Sequence, residues 1–600
     1  MTSPTEPQPH SPAHQLFDAA LARGDMYSPD SPRPLIDTVA ILNHPTFPHG
    51  TAWSEEALER LKRLGFTTLQ LNIAWGSRPG DEALNLEDVV EPATEWDGMR
   101  QRLELNSRPD RRAERRAELA ERLALARRVG LRTVFHFGAP FNRHNEFGDA
   151  PPNCVSDPEV HRYYRHLLRR LHDEYPVDDL WLYTYDQDAW LCSEFGECPR
   201  CGGVPLHRRL PAFVESLAGE WASMTGGRVW WSPWELSAGQ ILGCIGEFER
   251  PEILGLALHN NIAECMVAHA GDRNTSNLAR AASERGMRVA IEGYFGAATE
   301  ETETLTRLQS PLATYHQVRT MMAVPGVSSV KEYYGLDLAP YDPNLEAAAL
   351  ALAGEDLTDD EVLAALSARY ADPSTRTTVE DIWRNVSAAM EMYPWDVSWF
   401  ARETGRRGAR HSLDKAILRG SVAETPAWLS TRASTFMVTA DVDPHPWLLE
   451  DLGLRWSATA SFLQKALDIA QTLPPDLRIG EDFAPFLREL DAFHRSTRAL
   501  GLHCRESNLA ALIRDSVARR TAPAEGVVRE LLELLALDQV NAREDYLTDV
   551  IETLREDPAV FASVWFRAPT LNPPGHPDTV AGRPGAVFTY REGLFAMTSS

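Results

Sequence analysis

From Ile36 onward, short apolar runs alternate with stretches whose apolar positions recur at helical spacing. The runs at 36–42, 68–73, 133–137, 180–184, 228–231, 254–258, 288–291 and 327–330 read as strands. The stretches at 54–64, 108–129, 158–174, 207–225, 275–285 and 310–322 read as helices. The strands are apolar throughout rather than alternating, which implies a parallel sheet buried on both faces. Eight such strands joined through helices imply a (β/α)8 TIM barrel, an α/β fold. Beyond residue 343 the strand signal fades and helical periodicity takes over at 343–370, 375–392, 452–473, 481–502, 505–520 and 523–556. Trp395, Trp399, Trp428, Trp447 and Trp456 punctuate that half. The expected organisation is a Pro/Ser/His-rich, partly disordered tail over 1–34, a catalytic barrel over 35–342 and a mainly helical C-terminal domain over 343–600.

Composition narrows this without changing it. The chain has 600 residues, 43% of them apolar and 24% charged, as in a soluble globular protein too long for one core. A formal charge of -26 disfavours nucleic acid and anionic membrane as partners. No run approaches the roughly 18–20 apolar residues of a membrane span, and the first residues carry no basic and apolar signal pattern. Seven cysteines cannot all pair within the chain, which fits reduced thiols in the cytoplasm. Composition leaves a homo-oligomer open.

Active sites in such barrels lie at the C-terminal strand ends. Asn43 and His44 follow the first strand, Trp75 the second and His136 ends the third. Asp186 and Asp188 follow the fourth, Trp234 and Glu235 the fifth, and His259 and Asn260 the sixth. Glu292 and Tyr294 follow the seventh and Glu332 the eighth, while Trp395 sits in an aromatic loop able to cover the barrel mouth. Aromatic faces, amides and carboxylates in this company suit a sugar. Asp186 and Asp188 are two apart, so along a strand they share a side, and paired carboxylates raise one pKa into the range of a general acid. Glu292 is the partner carboxylate across the barrel, as nucleophile or base. Three strand-end histidines, His44, His136 and His259, leave open a metal-dependent lyase or isomerase. Cys192, Cys198 and Cys201 follow strand four as C-x5-C-x2-C, and Cys154 upstream completes four thiols of a structural zinc site. No phosphate-binding loop or dinucleotide fingerprint occurs, and no organic cofactor is expected.

The cysteine arrangement resembles the structural zinc site of family 42 β-galactosidases. By that likeness Glu292 is a strand-seven nucleophile, although Tyr185-Asp186-Gln187-Asp188 lacks the family's Asn-Glu pair on strand four. The acidic pair after strand four, followed by Leu366-Ser-Ala-Arg-Tyr370, Trp383, Ser387 and Tyr393-Pro394, is similar to the hexosaminidase and α-glucuronidase-like superfamily. Together the resemblances cover roughly residues 36–400 and imply a barrel glycoside hydrolase. The expected activity is an intracellular, exo-acting glycosidase that removes a terminal sugar from a small carbohydrate. A non-catalytic sugar-binding barrel is the alternative from outside enzymology.

Overall fold

The computed structural model describes residues 37–43, 52–72, 86–99, 111–140, 154–184, 192, 194, 198–233, 236, 238–259, 273–297, 305–338, 342–354, 356–393, 446–473, 483–542, 547–558, 587–589 and 596–598. Eight parallel strands close into a barrel in sequence order: β1 (Asp37–Ile41), β2 (Thr68–Gln70), β3 (Arg132–Gly138), β4 (Asp179–Tyr183), β5 (Val229–Ser232), β6 (Leu254–His259), β7 (Arg288–Gly293) and β8 (Val327–Glu332). β8 pairs with β1 to complete the ring. Around it run α1 (Glu55–Arg63), α2 (Arg112–Val129), α3 (Pro158–Glu174), α4 (Leu206–Thr225), α5 (Ala238–Glu247), α6 (Arg273–Glu284) and α7 (Pro311–Met322).

Period-two alternation explains the two cores. Leu180, Leu182, Val229, Trp231, Leu256, Leu258, Val289 and Ile291 point outward to the helices and belong to the main core. The residues between them point inward. Val39, Val134, Trp181, Trp230, Ala257 and Ala290 form a separate cluster inside the barrel. Trp181 and Trp230 stack there with ring centroids 5.5 Å apart. β6 makes room with a glycine, because a Cβ on Gly255 would lie 2.2 Å from Trp230 Cε3.

β2 is shorter than the apolar run suggests. The side chain of Asn72 takes over the pairing, donating to His136 O at 2.7 Å and accepting from His136 N at 2.9 Å. α5 is absent from the helices expected from periodicity; Gly239, Gly243 and Gly246 dilute its helical signal. Gly243 is constrained, since a Cβ there would meet His207 at 2.9 Å.

A helical C-terminal region follows the barrel: α8 (Pro343–Ala353), α9 (Asp359–Tyr370), α10 (Arg376–Met392), α11 (Pro446–Ala470), α12 (Phe483–Ala518), α13 (Glu525–Ala542) and α14 (Leu547–Glu556). α12 is one helix where the periodicity suggests two. The expected break lies near Gly501, but this glycine lets α12 approach α11: a Cβ there would lie 3.0 Å from Ser457 Oγ. The periodic stretch at 343–370 is instead cut at Gly354, which ends α8 at φ 87°. Barrel and helices through Cys504 share one continuous core, and the end of α12 with α13 and α14 forms a second, smaller one.

Candidate active site

Two residues beyond the apolar plug, the inward positions become polar. Val134 gives way to His136, Trp181 to Tyr183, Trp230 to Ser232, Ala257 to His259, Ala290 to Glu292 and Ser329 to Lys331. With Tyr333, these six line a small pocket at the C-terminal end of the barrel, the face on which barrel enzymes carry their chemistry.

The charges inside are closely matched. Lys331 Nζ donates to Glu292 Oε1 at 2.7 Å, and both side chains are almost wholly buried. The ammonium also lies 4.7 Å over the Trp181 ring, so the plug below contributes a cation–π face. His259 Nδ1 is in direct contact with Glu292 Oε2, and its Nε2 lies 3.0 Å from Ser232 Oγ. Burial pushes the Glu292 carboxyl up, but the adjoining His259 and Lys331 outweigh it and hold it down at about 2. Glu292 is therefore ionised at any physiological pH. His136 packs edge-on against Tyr183, and His259 edge-on against Tyr333.

Of the positions singled out from the sequence, the structure gathers His136, His259 and Glu292 around one cavity. Glu332 is directed elsewhere. It is out of phase with Lys331 and accepts from the backbone N–H groups of Phe295, Tyr334 and Gly335 at 2.6, 2.8 and 3.0 Å. That buried carboxylate ties the loops after β7 and β8 together. Tyr294 packs against Tyr333 and Tyr334 behind the cavity wall. Asn43, two residues beyond β1, has φ 64° and donates its backbone N–H to Leu336 O at 2.9 Å. His44, Trp75, Asp186, Asp188, Trp234, Glu235, Asn260 and Trp395 lie outside the described residues. Tyr183 lies inside the fourth apolar run, and Ser232, Lys331 and Tyr333 follow the fifth and eighth runs but are passed over there in favour of Trp234, Glu235 and Glu332. For Ser232 and Lys331 the available signal is strand phase, because each is two residues from an inward neighbour. Because His259 has both ring nitrogens against protein groups, ligating a metal would require breaking one of those contacts.

The cysteines converge in adjacent βα loops on the same face. Cys154 precedes Asp157, the N-cap of α3, while Cys192, Cys198 and Cys201 lie between β4 and α4. Their four sulfurs all lie within 4.8 Å of one another. The Cys154–Cys201 and Cys154–Cys198 sulfur separations are 3.4 and 3.8 Å, too long for a disulfide. They are close to the edge of roughly 3.8 Å that a tetrahedron with Zn–S of about 2.3 Å requires. Burial pushes the Cys154 thiol up to about 12 and raises Cys192 too. Burial also acts on Cys198, but the N–H groups of Arg200 and Cys201 overcome it and hold that thiol at about 7. A divalent ion would supply the positive charge that four converging thiolates need, so the residues fit zinc. The loop is otherwise held by the protein: Gly203 N donates to Glu194 O at 2.8 Å, Leu206 N to Glu194 Oε2 at 2.9 Å and Arg209 Nη1 to Cys192 O at 2.9 Å.

No family model and no curated protein matches this chain. Among solved structures, it is similar to a GH138 enzyme targeting pectin rhamnogalacturonan II, with a TM-score of 0.53 at 11% identity over 91% of this chain and 80% of that one. A Thermobaculum terrenum O-GlcNAc hydrolase aligns over 88% of this chain and 94% of its own, with 10% identity and a TM-score of 0.37. A β-N-acetylhexosaminidase aligns over 57% of this chain and 77% of its own, with 14% identity and a TM-score of 0.36. The likeness to the pectin-targeting enzyme is one of fold: the barrel is of a kind found in glycoside hydrolases.

Proposed function

We propose that the chain is a glycoside hydrolase that takes one terminal sugar ring into the barrel mouth, with Glu292 as its fixed anion and Asp186 or Asp188 as the general acid. The observation that carries this is Glu292 itself, a buried carboxylate kept ionised at a cavity walled by strand-end polar groups. Glycosidic cleavage builds positive charge on the sugar, and a preorganised anion in a water-poor site stabilises it. A carboxylate has about four lone-pair sites; Lys331 and His259 occupy two, which leaves Glu292 able to attack or to orient water. The proton for the leaving oxygen would come from Asp186 or Asp188, two residues apart in the sequence after β4, since a neighbouring carboxylate raises a carboxyl pKa. The distance between the working carboxyls would decide retention or inversion.

A site at the barrel mouth, reached from one end only, is our ground for exo action on a terminal ring. Zinc held by Cys154, Cys192, Cys198 and Cys201 would be structural, pinning the loop that follows the aspartates.

The test is a panel of aryl glycosides: β-galactoside, α- and β-N-acetylhexosaminides, α- and β-glucuronides and glucosides. One member should be cleaved, and Glu292→Gln in a folded protein should lower kcat/KM by about 10³-fold or more. Saturable sugar binding with no turnover across the panel would point instead to a non-catalytic sugar-binding barrel.

A further inference from the structure

Ser232, His259 and Glu292 stand in one line of contacts. Ser232 Oγ is 3.0 Å from His259 Nε2, and His259 Nδ1 meets Glu292 Oε2. The His259 Nδ1–Glu292 Oε2 pair is a close contact, and an ionised carboxylate can only accept, which makes Nδ1 the nitrogen that bears the proton. In the neutral ring Nε2 then offers its lone pair to the serine hydroxyl. Hydroxyl, imidazole and carboxylate in this order are the arrangement that turns a serine into a nucleophile. The third member of such a set must be buried, ionised and placed against Nδ1, and Glu292 is buried, held ionised and in contact with that nitrogen. Lys331, on its other oxygen, fixes the charge.

The three residues come from successive strands, β5, β6 and β7, each two positions beyond the apolar plug. Trp231, one residue before the serine, fixes the end of β5 by donating from its indole to Thr184 Oγ1 at 3.0 Å. His136, Tyr183 and Tyr333 line the same cavity and are of the types that donate to an oxyanion. Pro233 has no N–H to give, so the residue after the serine cannot be one of the donors.

We infer that Ser232 is a nucleophile and that the barrel mouth cleaves acyl esters, with ester-bearing carbohydrate as the substrate class. The word carbohydrate rests on the glycosidase reading; the esterase chemistry does not. Ser232 Oγ bonds to the acyl carbon while its proton passes to His259 Nε2. The ester C–O bond then breaks and the alcohol leaves with that proton. Water, deprotonated by the same nitrogen, releases the acid and restores the serine.

The experiment treats the full chain with diisopropyl fluorophosphate, in which the serine oxygen displaces fluoride from phosphorus. Peptide mass spectrometry should find one adduct per chain, on Ser232. His259→Asn should slow its formation about 100-fold or more, and Ser232→Ala should abolish it, with circular dichroism showing both variants folded. A folded native protein that stays unlabelled, or is labelled only elsewhere, overturns the inference. The glycoside panel reads out separately. Labelling without glycoside cleavage sinks the glycosidase reading alone, and cleavage without labelling sinks this one alone.

Discussion

The barrel mouth and the cysteine loop are both polar clusters at the same end of the barrel, yet they are completed in opposite ways. In the mouth, protein groups close on one another: Lys331 meets the charge of Glu292, and His259 lies against its other oxygen with Ser232 on the far side of the ring. In the loop, four sulfurs within 4.8 Å face one another, and the charge they would carry as thiolates has no matching cation among them. The first cluster is closed by the chain itself and should fail when a member is substituted. The second would be closed by an ion and should then fail when the ion is taken away.

Substitution in the mouth has the largest expected effect. Lys331→Met leaves Glu292 buried without its ammonium, and removing one partner of a buried pair costs about 3–5 kcal/mol. Urea denaturation should show that loss, and turnover of any cleaved glycoside should vanish with it. The double variant Glu292→Gln/Lys331→Met removes both charges and should recover most of the stability while remaining inactive. If Lys331→Met were as stable as the native chain, the mouth would not be closed by charge pairing.

Withdrawal of the ion comes next. Elemental analysis should find one zinc per chain, lost in Cys198→Ser. A ligand that binds only the folded state at about 1,000 times its Kd stabilises by about 4 kcal/mol, so chelation should lower the Tm by a corresponding amount and added zinc should restore it. A metal-free protein with an unchanged Tm would make the four thiols a coincidence of packing.

Acid separates the mouth from a third set of buried carboxylates, those between barrel and helices. Burial pushes Asp342 up to about 6, against the N–H groups of Asn344 and Leu345, and Glu489 up to about 7. Their folded pKa values lie above the unfolded ones, so their contribution is full below about pH 4 and lost as pH rises through 6 and 7. Glu292 behaves oppositely: its contribution is present above about pH 4 and lost as pH falls toward 2. Stability should therefore rise by about 2–3 kcal/mol from pH 8 to pH 5, discounting the part of Glu489 that water reaches, and fall again below pH 4. Asp342→Asn keeps the helix cap and should flatten the first limb only. Denaturant midpoints across pH would test this, and a monotonic fall from pH 8 downward would contradict it.

What is legible in the sequence follows the same division. Cys198 and Cys201 are close in the chain and Cys192 is nearby, so a local pattern announces the loop. The barrel is legible because eight apolar runs repeat. The mouth is assembled from single residues on several strands, and a run of apolar letters does not say which residue is in phase with the lumen. That is why Glu332, which caps a loop, stands out ahead of Lys331, which faces the cavity, and why Ser232 passes unnoticed behind Trp230 and Trp231. Glu292 is found because it is both polar and in phase. Glycine misleads in both directions, hiding α5 and suggesting a break inside α12.

Closure by neutral groups gives the smallest effect and tests whether charge or closure makes the mouth fragile. Trp383, on α10, donates from its indole to Gln309 Oε1 at 2.8 Å, packs edge-on against Tyr370 at 5.9 Å, and lies one turn before Ser387, which accepts from Leu312 N at 3.2 Å. These contacts fix the entry to α7, the helix that leads into β8 and Lys331. The residues that suggest a superfamily likeness thus clamp barrel to helices, and they do so without net charge. Trp383→Phe keeps an aromatic body and leaves Gln309 Oε1 without that donor, a loss of about 1–2 kcal/mol. Ser387→Ala should cost about 1 kcal/mol by the same reasoning. Both should leave KM and kcat for a cleaved glycoside within about twofold, because a clamp this far along α7 shifts no charge at Glu292. A loss as large as that of Lys331→Met would mean that closure itself, rather than the buried ion pair, is what the mouth depends on.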